Sequence, residues 1–261
     1  YVEDKQYQPE DLFYLHELWH SWQHHSLFSG IDKNKVLNNI NRSQTNAHTF
    51  FKQANWLIVT LGSAYHYKLI TEQVDVANCH KASADDFIKE LVTTEQTVYA
   101  LSEAIERIHA FNPSLHIVFT VSPVRHIRDG VIENNLSKAV LLQAVHLLSE
   151  KFKHVSYFPS YELVIDVLRD YRFFETDMVH PSVMAVDYVF QKFSECYIAK
   201  KEQPIVKEIE KIIAAKNHRP FHAGTDAHII FKYTHLQKAK ELQASHPHIN
   251  LDEEINYFSM Q

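Results

Sequence analysis

The apolar positions of this chain fall into two rhythms. Trp56-Leu57-Ile58-Val59-Thr60-Leu61-Gly62 is nearly unbroken in its apolar character, Leu115–Val121 is a second such run, and Val155–Phe158 is a shorter third. Runs of this kind predict strands of a parallel sheet covered on both faces. Between them the apolar residues return at helical spacing. Val36, Ile40, Ala47, Phe50 and Phe51 predict a helix over 33–54. Phe87, Leu91, Val98, Leu101, Ile105 and Ile108 predict a long one from Ser83 to about Ala110, stopped at Asn112-Pro113. Ala139, Leu142, Ala144, Val145 and Leu148 mark a third over 134–150, and Val183, Val186, Val189, Phe190 and Phe193 a fourth after Pro181. An earlier stripe of Leu12, Leu15, Leu18 and Trp19 predicts a helix from about Asp11. Helices alternating with strands through residue 197 make a doubly wound α/β pattern. Beyond it the rhythm is helical only. A Lys/Glu-rich helix over 198–216 is broken at Arg219-Pro220-Phe221, another helix spans about 225–245, and an acidic tail follows. The expected organisation is therefore an α/β domain over 1–197 and a helical appendage over 198–261.

Composition narrows the function. A net charge of -6 argues against a nucleic-acid surface. No apolar run approaches the length of a membrane span, so no membrane partner is expected. Cys79 and Cys196 are far apart and read as reduced thiols, which fits a cytoplasmic location better than a disulfide framework. The chain opens Tyr1-Val2-Glu3-Asp4 without a methionine, so the reading expects a fragment or processed product whose upstream segment is not in view.

The candidate chemistry lies mostly at strand ends, where open α/β sheets bind ligands. Gly62-Ser63-Ala64-Tyr65 follows the first strand, and Ser122-Pro123-Val124-Arg125-His126 follows the second. Arg125 offers a planar fork for a carboxylate or phosphate, with a structural ion pair as the competing account. Late in the chain stands Asp177-Met178-Val179-His180-Pro181-Ser182. Its spacing lets a carboxylate accept a hydrogen bond from one imidazole nitrogen while the other faces a nucleophile. His16, His20 and His24 recur at four-residue steps, which on a helix would offer a zinc reading. No acid or cysteine completes that ligand set, so a histidine-rich surface is expected and no metal or cofactor is assigned. His24 or His25 could line a cleft. Asn78-Cys79-His80-Lys81 is a dense polar cluster, but adjacent residues rarely aim at each other, so a Cys79 nucleophile is not the expectation.

Several phrases together resemble the GSCFA family, bacterial proteins named for a Gly-Ser-Cys-Phe-Ala motif. They are Leu18-Trp19-His20-Ser21 with His24-His25-Ser26, Thr60-Leu61-Gly62-Ser63-Ala64, Asn78-Cys79-His80-Lys81, Val121 to His126, and Asn134 with Ser137-Lys138-Ala139. Tyr157-Phe158-Pro159 with Tyr161-Glu162, Leu168 to Phe173, and Asp177 to Ser182 complete the series over about residues 12–197. That family in turn looks like a branch of the SGNH (GDSL-type) hydrolases.

The resemblance implies a flavodoxin-like, three-layer parallel sheet, a serine just after the first strand, and a late Asp-x-x-His pair. It carries over Asp177 as orienting acid and His180 as general base. The naming motif, which would supply the serine, is absent here, as are the first strand and helix. The fragment alone is then expected to be inactive. The asparagine usual in the superfamily's third block is not at the matching place beside Gly62. Gly62, Ser63, Asn78, His80, Arg125, His126, His24 and His25 remain candidates for oxyanion or substrate contacts. The implied activity is hydrolysis or transfer of an ester-linked acyl group on a small molecule or glycan. The rival expectation is a non-catalytic carbohydrate- or partner-binding protein on an esterase scaffold.

Overall fold

A computed structural model describes residues 1–222 and 224–259. The chain divides into two compact units, Tyr1–Val189 and Phe190–Gln261.

In the first unit a short hairpin comes first, strand β1 (Phe13–Leu15) paired antiparallel with β2 (Leu18–His20). It corrects the helix expected from Asp11. His16 and Glu17 take left-handed backbone angles, φ 48 and 63, which turn the chain back on itself and cannot continue a right-handed helix. His16, His20 and His24 therefore do not stack along one face. Helix α1 (Lys33–Phe51) follows, its first turn capped by the Asp32 carboxylate, which accepts from Lys35 N at 3.0 Å. Val36 and Ile40 bury its inner face with Leu12.

Strand β3 (Trp56–Leu61) lies parallel to β7 (His116–Val121), which lies parallel to β8 (Val155–Tyr157), in the order β3-β7-β8. The central strand meets the expectation of burial on both faces: Ile117 through Val121 are all buried. One face packs Ile117, Phe119 and Val121 against Ile105 of α2 (Thr94–Phe111) and Leu141, Val145 and Leu148 of α3 (Val131–Lys151). The other face carries Thr120, whose hydroxyl hydrogen-bonds Ser160 in the short turn α4 (Ser160–Glu162). Each buried aliphatic side chain here contributes about 1.5–3 kcal/mol. β3 departs from the expectation of two covered faces. It is an edge strand whose exposure alternates, with Trp56 54% and Ile58 53% exposed.

Between β3 and α2 the chain builds a second sheet, antiparallel and in the order β5-β4-β6, from β4 (Tyr65–Leu69), β5 (Val74–Val76) and β6 (Phe87–Leu91). The long helix expected from Ser83 is corrected accordingly. Phe87 to Leu91 pairs with β4, and α2 begins only after Thr93, which forms a reciprocal capping box with Gln96. Helix α5 (Val183–Tyr197) carries the chain across the division between units.

In the second unit, helices α6 (Gln203–Asn217), α7 (Asp226–Ser245) and α8 (Asp252–Ser259) close a small core of Ile212, Ala215, Ala239, Leu251 and Phe258. Lys216 adds ion pairs to Glu253 and Glu254 at 2.6 and 3.0 Å. Among the described residues no helix is long and apolar enough to cross a membrane.

Candidate active site

The Asp177 turn is a narrow loop closed at its base by backbone bonds. Glu175 N donates to His180 O at 2.8 Å and Ser182 N to Phe173 O at 2.8 Å, bridging Phe174 to Pro181. Phe174 and Val179 are buried and pin the loop, while Asp177 and His180 on either side of Val179 stay exposed. One Asp177 oxygen accepts from Val179 N at 2.9 Å and His180 N at 3.0 Å. The other meets His180 Nδ1 at 2.6 Å. A carboxylate can only accept, so Nδ1 carries the proton and Nε2 keeps its lone pair. Hydrogen bonds from the His180 backbone and ring, then from the Val179 backbone, hold the Asp177 pKa at about 2, so it is anionic at any ordinary pH. Met178, at the tip, has φ 57, a left-handed conformation that costs a side chain some strain.

Arg125 secures that tip. Its guanidinium donates to Met178 O at 3.2 Å and stacks over Phe174 at 4.6 Å and Tyr171 at 5.7 Å from the ring centres. Among the described residues Arg125 makes no ion pair, so the structural ion pair that the sequence offered as the competing account is not formed. Arg125, Asp177, Met178, Tyr161 and Asn135 line one cleft of about 540 Å³.

The neighbouring rim is held by α3. Its residues 134, 137 and 138 fall on one helical face. Asn134 Oδ1 accepts from His126 N at 2.9 Å, and Ser137 Oγ accepts from Ala64 N at 2.7 Å and lies 3.3 Å from Ser63 Oγ. Lys138, 1% exposed, donates from Nζ to Gly62 O at 2.6 Å and Ser122 O at 2.7 Å, tying together the ends of β3 and β7. Burial pushes its pKa down to about 8. The sequence reading assigned these three residues no role. A polar triplet spaced i, i+3, i+4 leading into the apolar run from Ala139 to Leu142 was the available signal.

His126 sits beside Gly62, with Nε2 3.7 Å from where a Cβ on that glycine would lie. Partial burial, then the Lys138 charge, lowers the His126 pKa. The same distance is an ordinary contact and Gly62 has no left-handed angle, so the backbone does not demand glycine there. Gly130, at φ 103 before α3, does demand it.

The remaining candidates gather elsewhere in the unit. His80 is buried and donates from Nε2 to Ser21 O at 2.8 Å, which leaves Nδ1 buried without a partner. Its ring lies 4.5 Å from that of His20, which itself bonds Ser29 Oγ and Leu15 O at 2.7 and 3.0 Å. Asn78 Oδ1 accepts from His80 N at 2.8 Å, His24 Nδ1 meets Ser21 Oγ at 2.9 Å, and His25 Nδ1 accepts from Leu27 N at 3.1 Å. These bonds run within the cluster, not to the Asp177 turn. Burial raises the Cys79 pKa, which disfavours the thiolate. Among the described residues no three His, Cys, Asp or Glu side chains converge as a metal site.

A loop-borne Asp–His pair thus stands beside a cleft that Asp177 and Arg125 line, while His126, next to Arg125 in the chain, reaches the Gly62 rim. The GSCFA family matches residues 1–193, and its C-terminal domain matches residues 209–261. The chain belongs to the GSCFA family. No curated protein and no solved structure matches this GSCFA chain.

Proposed function

We propose that this GSCFA chain carries the acid–base half of a serine ester hydrolase or acyltransferase on a flavodoxin-like, SGNH-type sheet. The observation that carries this reading is the Asp177–His180 pair, with Nδ1 bound by the carboxylate at 2.6 Å and Nε2 left basic. A serine on a segment preceding Tyr1 attacks the ester carbonyl and passes its proton to Nε2, and Asp177 balances the resulting imidazolium. The tetrahedral intermediate collapses, and the alcohol leaves with that proton. Water or an acceptor hydroxyl then attacks the acyl-serine, again giving its proton to Nε2. The Gly62 rim supplies oxyanion donors. Lys138, by drawing on Gly62 O, polarises the Gly62–Ser63 peptide and strengthens the Ser63 N–H as a donor. Each such donor is worth about 2.7–4 kcal/mol in comparable sites.

Ile58, 53% exposed in a strand that pairs on one side only among the described residues, supports a preceding segment that covers it. The free thiols of Cys79 and Cys196 support a reducing, cytoplasmic setting. The substrate is an ester of a small molecule or glycan. In the full gene product His180→Ala is expected to lower ester turnover at least ~10³-fold. Turnover that survives this change would withdraw the assignment and leave a binding protein on an esterase scaffold.

A further inference from the structure

We propose that the cleft beside the Asp177 turn selects esters that carry a carboxylate close to the reacting carbonyl, and that Arg125 is the residue that binds that carboxylate. This inference rests on the preceding reading for the location of the chemistry. Its physical basis lies in how Arg125 is held. The guanidinium carbon lies over the rings of Phe174 and Tyr171, 4.6 and 5.7 Å from their centres. Cation–π contact of this kind holds the charge in place without using up the N–H donors. One of them is spent on Met178 O at 3.2 Å. No carboxylate among the described residues lies within ion-pairing distance of Arg125, so the remaining donors of this charged fork have no anionic partner in the protein.

The cleft itself fits the same ligand. Its volume of about 540 Å³ suits a small molecule, and its walls of Ile127, Val131 and Ile165 are apolar. Asp177, the carboxylate on the same wall, already accepts three hydrogen bonds from Val179 and His180, which partly screen it from an incoming anion. Arg125 holds Met178 O, two residues before His180, so an anion on its fork suits an ester whose carboxylate is a few bonds from the carbonyl. Fixed stacking also means that little side-chain freedom is lost on binding.

The test compares para-nitrophenyl hemisuccinate with para-nitrophenyl pentanoate, which replaces the carboxylate by an ethyl-like end. With the full gene product, kcat/KM is expected to favour the hemisuccinate by at least about ten-fold, the worth of one charge-assisted hydrogen bond. Arg125→Gln is expected to bring the ratio of the two esters close to one, and Arg125→Lys to leave it intermediate because the charge survives without the fork. The ratio is the readout, since Arg125 also holds the Met178 turn and both rates fall if that turn loosens. A wild-type ratio at or below one, or a ratio unmoved by Arg125→Gln in folded protein, overturns the proposal. A second measurement separates this from the catalytic assignment. Glutarate binding to His180→Ala, followed by calorimetry, needs no turnover. Binding that weakens at least about ten-fold with the added Arg125→Gln change supports the anion site even if neither ester is hydrolysed. Absence of glutarate binding in folded His180→Ala protein sinks it.

Discussion

Two histidine-bearing regions of this protein invite comparison, the Asp177–His180 turn and the cluster of His20, His24 and His80. In the turn, the imidazole is exposed, one nitrogen is fixed by a carboxylate at 2.6 Å, and the strained Met178 backbone is tolerated. In the cluster, His20 and His80 are buried, and their partners are carbonyls and a serine hydroxyl. The His80 pKa is lowered first by burial, and that of His24 likewise. Burial without a carboxylate disfavours the charged form of His80 and His24 and turns their rings into packing material, whereas the His180 ring stands open to solvent with a carboxylate fixing one nitrogen. Histidine density alone therefore misleads. The partner and the solvent decide what the ring can do.

The comparison predicts that the two regions separate activity from stability. The largest effect is the loss of at least ~10³-fold in ester turnover for His180→Ala already stated, and its thermal midpoint is expected to stay within a few degrees of wild type because the ring is exposed. A large fall in midpoint would mean that the turn is a folding element, and the contrast would break. Next, His80→Ala removes a ring packed near Phe13, Trp22 and His20 and is expected to cost about 2–4 kcal/mol in denaturant unfolding. An unchanged midpoint in urea would show that the cluster contributes nothing to the fold.

Lys138 sharpens the comparison from a third direction, as a buried cation without a carboxylate. Its folded pKa of about 8 lies below its ordinary 10.5, so the unfolded chain binds more protons between those values. Stability is therefore expected to rise with pH from about 8 to 10.5, by no more than roughly 3 kcal/mol. The two carbonyls that accept from the ammonium favour the charged form and reduce the gain. The slope is expected to be missing in Lys138→Met, and a wild-type profile parallel to that variant's would refute it. The smallest effect belongs to Asp177. Its pKa is lowered from 3.8 to about 2, so its contribution is complete above 3.8 and is lost as pH falls through about 2. Asp177→Asn is expected to abolish this slight acid-side dependence, as acid titration of the folded fraction would reveal.

Legibility in the sequence followed the range of the interactions involved. The central strand was readable because every residue from Ile117 to Val121 is buried, and α1 and α7 because their apolar spacing or caps are local. The sheet of β4, β5 and β6 was not. Tyr65-His66-Tyr67-Lys68-Leu69 alternates over only five positions, too short a run to stand out, and Phe87 to Leu91 imitates a helical turn until its pairing partner is known. The capping box at Thr93 and Gln96 was the one local sign that α2 starts late. At the site, Asp177 and His180 announced themselves because they contact each other across three positions. Arg125 to Met178 and Lys138 to Gly62 span 53 and 76 positions, and no spacing rule reaches that far.

The bare margin of β3 has a practical consequence. Among the described residues β3 pairs on one side only, and with no charged residue between Trp56 and Leu61 such an edge is a template for another extended chain. At high concentration that edge invites pairing between copies of this polypeptide. A lysine placed at Ile58 would keep such copies apart.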